Sequence, residues 1–92
     1  VSVLNVDYSF SADGDGKEYN VPVSAKYMFF ATGTFSSGCL SLEASPDNGV
    51  NWFTVDQLSS PGRLIRYLVS GERVRVSLSD AITPTIDAGL RQ

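Results

Sequence analysis

Polar and apolar residues alternate with a period of two along most of this chain, and that pattern restricts its fold more than any other feature. In Glu72-Arg73-Val74-Arg75-Val76-Ser77-Leu78, the residues Val74, Val76 and Leu78 fall on one side and Arg73, Arg75 and Ser77 on the other. Successive side chains of a strand point to opposite faces, so such a segment has one buried and one wet side. Cys39-Leu40-Ser41-Leu42-Glu43-Ala44 repeats the pattern with Leu40, Leu42 and Ala44 inward. Thr85 to Leu90 does so with Ile86, Ala88 and Leu90, and the start of the chain with Leu4, Val6, Tyr8 and Phe10. Tyr19, Val21 and Val23 alternate as well; Pro22 among them cannot donate to a ladder, which predicts a strand at a sheet edge.

Three further segments complete the set. Lys26 to Thr32 is apolar on both faces, as expected of a central strand covered on both sides. Asn51 to Asp56 and Arg63 to Val69 are the others. Turn residues fall between the segments: Asp13-Gly14-Asp15-Gly16, Ser36-Ser37-Gly38, Pro46-Asp47-Asn48-Gly49, Ser60-Pro61-Gly62, Ser70-Gly71 and Thr83-Pro84. No stretch holds helical periodicity. The expected fold is all-β: a small antiparallel β-sandwich, immunoglobulin-like or jelly-roll-like, of about 7–8 strands. At 92 residues the chain suits one domain over 1–92, and 42% apolar with 18% charged residues is a globular balance rather than a disordered one.

Charge and residue usage narrow the chemistry. The net charge of −3 argues against nucleic acid as a partner. Residues 1–46 hold five acids against Lys17 and Lys26, whereas residues 47–92 hold five acids and five arginines. An acidic half beside an arginine-bearing half suits contacts between copies or with a charged partner. The longest apolar stretch, Tyr27 to Ala31, is far too short to span a membrane. The opening residues alternate, which reads as a strand and not as a signal peptide. Cys39 is the single cysteine, so no intrachain disulfide forms within this sequence, and a lone thiol fits a reducing compartment.

Catalysis and cofactors find little support. There is no histidine, hence neither the usual general base nor the usual zinc ligand, and Cys39 falls on the outward side of its strand with no imidazole to activate it. Carboxylate pairs that cut glycosidic bonds need a cleft, for which a sandwich of this size has little room. Asp13-Gly14-Asp15-Gly16-Lys17-Glu18 resembles part of a calcium loop but lacks the full series of ligands, so it reads as a hydrated turn. The expectation is a protein that binds or assembles, without enzymatic activity, metal or cofactor.

The sharpest local motif is Ser45-Pro46-Asp47-Asn48-Gly49-Val50-Asn51-Trp52. It is similar to the Asp-box that closes hairpins in sialidases and other glycan-active β-propellers, where it is a structural device. Ser45, Asp47, Gly49 and Trp52 are its structural residues. The Asp47 carboxylate accepts backbone amides within the turn, Gly49 takes a positive φ, and Trp52 packs back over the turn. Trp52 and Phe53 are neighbours, so one of them faces away from the core. An outward aromatic stacks on a sugar, anchors a protein interface, or covers the end of a small core. Arg63, Arg66, Arg73 and Arg75 are expected on neighbouring strands of one hairpin, where a shared face makes an arginine strip for carboxylates of a partner.

From about Lys26 onward the layout resembles short virion proteins of tailed bacteriophages. An aromatic strand is followed by the leucine-alternating strand that runs into Ser-Pro-Asp-Asn-Gly-Val-Asn-Trp, then Phe53-Thr54-Val55, a glycine turn, Leu68 to Leu78, and the closing Thr85 to Leu90. The resemblance implies a capsid decoration or cement protein, or a head–tail accessory protein. It would be assembled in the host cytoplasm and bound in multiple copies, or as a homo-oligomer, to the major capsid protein or another virion protein. On that reading Val1 and Val3 form an N-terminal arm, and Trp52, Phe53, Arg63, Arg66, Arg73 and Arg75 supply the contacts. Two alternatives stay open. One is a carbohydrate-binding module that stacks a glycan on Trp52, Phe53 and Tyr67. The other is an immunoglobulin- or fibronectin-like spacer from a longer chain.

Overall fold

A computed structural model describes residues 4–92; Val1 and Val3 lie outside the described residues. Each alternating segment forms a strand. In chain order they are β1 (Val6–Phe10), β2 (Gly14–Asp15), β3 (Tyr19–Asn20), β4 (Ala25–Thr34), β5 (Cys39–Ser45), β6 (Phe53–Leu58), β7 (Gly62–Leu68), β8 (Arg73–Ser79) and β9 (Thr85–Arg91). β1, β9, β4 and β7 make one sheet, in that order. The second runs β2-β8-β5-β6, with β3 beside β2 on the same flank of β8. All pairings are antiparallel.

The chain passes between the sheets at nearly every connection, and among the described residues only β5 and β6 form a hairpin within one sheet. With β2 and β3 counted as one interrupted strand, this is the eight-strand, double-Greek-key order of a jelly roll. The immunoglobulin-like arrangement, with strands A, B, E and D in one sheet and C, F and G in the other, is not formed.

The core lies between the two inner faces. Tyr27, Phe29 and Ala31 of β4, with Ile86, Ala88 and Leu90 of β9, meet Leu40, Leu42 and Ala44 of β5 and Val74, Val76 and Leu78 of β8. All are buried, as the alternation requires. Leu4, Val6 and Tyr8 close one side and Leu68 the other. The Tyr8 hydroxyl donates to the Lys17 carbonyl at 2.7 Å, so a large aromatic enters the core without stranding its polar end.

Four expectations need correction. The segment from Lys26 to Thr32 is central in its sheet but is not covered on both sides. Its inner face is buried, whereas on the outer face Met28 and Phe30 are half-buried and Lys26 and Thr32 exposed. The arginines do not share a hairpin: Arg63 and Arg66 stand on β7 and Arg73 and Arg75 on β8, in opposite sheets. The edge strand around Pro22 is shorter than its pattern. Only Tyr19 and Asn20 pair regularly with β8, after which Val21 keeps an irregular link, its amide donating to the Glu72 carbonyl at 2.9 Å. Asp13 to Gly16, read as a turn, contributes the two residues of β2.

Candidate interaction surface

The β5–β6 hairpin is closed by the Asp-box residues. The fully buried Ser45 hydroxyl donates to Asp47 Oδ1 at 2.8 Å and accepts the Gly49 amide at 2.8 Å. Asp47 Oδ1 accepts the Asn51 amide at 2.9 Å and Oδ2 the Asn51 side-chain amide at 2.6 Å. These donors, the Asn51 backbone amide foremost, hold the Asp47 carboxyl below the ordinary carboxylate range. Asn48 and Gly49 take φ values of 63° and 88°, the left-handed region that glycine adopts without steric cost. The turn therefore satisfies its own polar groups, and it delivers Trp52 to the head of β6.

Trp52 and Phe53 both stay out of the core. Trp52 lies on the outer face of the second sheet, half-buried, with the Arg75 guanidinium carbon 4.1 Å from its ring centroid. Arg75 also donates to Glu43 Oε1 at 2.8 Å, directly across the β5–β8 ladder, and stands 3.4 Å from Asp15. Arg73 pairs with Glu18 at 3.2 Å. Both β8 arginines are thus occupied by acids of their own sheet. The acidic half and the arginine-bearing half of the sequence meet inside one molecule. Asp13 and Asp15, the carboxylates of the calcium-like segment, accept the Ala81 amide at 3.0 Å and the Ser77 hydroxyl at 2.6 Å. Among the described residues no three acidic or cysteine side chains gather closely enough to hold a metal ion.

Arg66 is also engaged. It lies on the inner side of β7, opposite Tyr27, and forms an ion pair with Asp56 of β6 across the open flank of the sandwich. Of the four arginines, Arg63 alone stands on an outer face free of such a pair among the described residues.

That outer face, on the first sheet, carries Met28, Phe30 and Ile65, which the sequence reading missed, beside Arg63 and Tyr67, which it named. Met28 lies between Ile65 of β7 and Arg91 of β9, Phe30 between Arg63 and Gly89, and Lys26 beside Tyr67. Ile65 is 61% exposed and Tyr67 60%. A depression of about 510 Å³ follows β7 over Met28 and Ile65, with Arg63 on its rim. On the far side the Arg91 guanidinium sits 5.1 Å from the Phe30 ring centroid and pairs with Asp7 at 2.6 Å. The signal was present in the sequence: Met28 and Phe30 alternate with Tyr27 and Phe29, and Ile65 and Tyr67 with Leu64 and Leu68. Both strands are apolar on two faces.

No family model matches the chain, and no curated protein matches it.

The three aromatics of the glycan alternative do not form one platform. Arg75 covers one face of Trp52, and Tyr67 belongs to the outer face of the opposite sheet. Phe53, 61% exposed, lies opposite Ala44 and so on the inner side of the β6 edge. Cys39 stands half-buried on the outer face of β5 opposite Ser79.

Proposed function

We propose that this jelly roll is a non-enzymatic assembly domain, a structural virion protein of the tailed-phage kind. It docks on the major capsid protein or another virion protein through the outer face of its first sheet. The observation that carries the reading is the outer-face row of exposed Ile65 and Tyr67 with half-buried Met28 and Phe30 beside Arg63, on a domain whose other arginines are bound to its own acids. Monomeric soluble proteins rarely expose contiguous apolar patches larger than a few hundred Å², and larger ones commonly meet a partner. Aromatic, methionine and arginine side chains are also the types enriched at interface cores. Jelly rolls occur in viral capsid proteins and in lectins alike, so the fold by itself does not choose between a protein and a glycan partner. The layout of the sheet-one face favours protein, because Tyr67 is its one widely exposed aromatic ring.

Each bound copy stabilises the particle by mass action, and repetition over a symmetric surface adds avidity to weak single contacts. Arg63 supplies the interface contact assigned to the arginines. The test is co-sedimentation with particles from the native source. Met28→Asp, in the middle of the row, should weaken particle binding at least about tenfold, the effect of burying an unpaired charge. Arg73→Ala, on the opposite outer face, should leave it within about twofold. Equal binding by both variants would refute the assigned face, and absence of any particle partner would refute the virion reading.

A further inference from the structure

Among the described residues the four sheet edges are finished differently, and one of them is regular along its whole length. At β1, Arg91 reaches over to the Val6 carbonyl at 2.9 Å and to the Asp7 carboxylate. The β2/β3 edge is broken into two pieces of two residues each. β6 carries a register shift against β5 between Leu42 and Glu43, and its Gln57 amide is taken by the Asp56 side chain at 2.8 Å. Bulges, short strands and side chains folded over the backbone are the usual means of stopping edge-to-edge pairing. β7 differs. Its seven residues, Gly62 to Leu68, pair with β4 in unbroken register, contain no proline, and have no strand on the other side among the described residues. Its cover is a single side chain: the Arg66 guanidinium donates to the Ile65 carbonyl at 2.8 Å while paired with Asp56 on the inner side, and pairing at Ile65 requires it to release that carbonyl but not the ion pair.

We infer that β7 pairs antiparallel with β7 of a second copy about a two-fold axis at Ile65, joining the two first sheets into one continuous eight-stranded sheet. The sequence of β7 is complementary to itself in this register. A two-fold through Ile65 sets Ile65 against Ile65, Arg63 against Tyr67, Leu64 against Arg66 and Gly62 against Leu68, so all seven residues pair. No like charges oppose each other. Moving the axis to Arg66 or Arg63 sets arginine directly against arginine, and an axis at Leu64 leaves Tyr67 and Leu68 without partners.

The outer face gains most. The row Met28–Ile65 continues into Ile65–Met28 of the second copy. Arg63, flanked by Phe30 on its own sheet, meets the Tyr67 ring of the other copy on its open side, and each Tyr67 then lies between Lys26 and an arginine. The inner-side Arg66 keeps Asp56 as its partner and meets only Leu64. The pairing needs no virion partner, and a dimer would present the docking face of the proposed function twice in one surface.

Sedimentation velocity on the purified chain, from about 1 μM to about 1 mM, tests it. The 9.9 kDa chain should pass to twice that mass within this range. Because residue 65 faces itself on the axis, Ile65→Lys and Ile65→Asp should each sediment as monomers at every concentration. An equal mixture of the two should form a heterodimer at least about tenfold tighter than either homodimer. Ile65 is widely exposed, and recovery of the dimer on mixing shows that both variants are folded. A wild-type protein monomeric to 1 mM, single variants that still dimerise, or variants that stay apart when mixed would each overturn the proposal. None of these outcomes bears on whether Met28→Asp loses the particle.

Discussion

Arg75 lies over the Trp52 ring with its guanidinium carbon 4.1 Å from the centroid while it donates to Glu43 at 2.8 Å. One side chain of β8 thereby joins the base of the Asp-box hairpin to the middle of β5. Arg75 is only 18% exposed, so its stacking and its ion pair are partly shielded from water. Arg75→Ala should cost roughly 1–3 kcal/mol of stability, combining the lost cation–π contact with a half-buried Glu43 left unpaired. Arg75→Lys should recover less than half of that, because an ammonium lacks the planar face that stacks. Urea unfolding measures both, and Trp52 emission should shift to the red in Arg75→Ala as water reaches the ring. An unchanged midpoint and spectrum would mean that the stack contributes nothing.

The Asp47 turn makes a prediction about acid. Its carboxyl is held below the ordinary value of 3.8, chiefly by the Asn51 backbone amide. A carboxyl with a depressed folded pKa stabilises fully above its unfolded value, and that contribution is lost as pH falls through the folded value. Stability of the wild-type protein should therefore decline below about pH 4, and Asp47→Asn, which does not titrate, should show a flatter acid limb there. Above about pH 5 the Asp47→Asn difference should be constant. Urea midpoints measured from about pH 6 to about pH 2 provide the comparison, and parallel curves for the two proteins would remove Asp47 from the account.

What the sequence made legible was local. Val74, Val76 and Leu78, or Leu40, Leu42 and Ala44, announce their buried face because alternation depends only on the pleat. The Asp47 turn was legible for the same reason, since every group it satisfies lies within a few residues. Sheet membership was not. Ser70-Gly71 reads the same whether β7 and β8 form a hairpin or cross between sheets, and the structure has the crossing, which divides the four arginines between two sheets. The fate of Arg75 was hidden too, because Trp52, Glu43 and Asp15 come together only through tertiary pairing. The outer face was misread for a further reason. Two apolar faces on β4 describe equally a strand covered on both sides and a strand with one face open, and composition does not separate them.

Gly89 fixes how Phe30 lies on that open face. The two are cross-strand neighbours, and a β-carbon on Gly89 would come within 2.6 Å of the Val6 carbonyl oxygen and 2.8 Å of the Phe30 ring. Phe30 can rotate away, but the Val6 carbonyl is backbone of β1 and cannot yield without moving the strand that Arg91 holds in place. Gly89→Ala should therefore destabilise the fold by roughly 1–3 kcal/mol, as overpacking does, even though alanine suits a strand better than glycine. Phe30→Ala removes the movable neighbour and leaves the fixed one, so the double variant should recover only part of the Gly89→Ala loss. A double-mutant cycle by urea unfolding reads the coupling directly. Full recovery would make the ring the sole obstacle and β1 free to shift. No recovery would place the whole clash on the Val6 carbonyl.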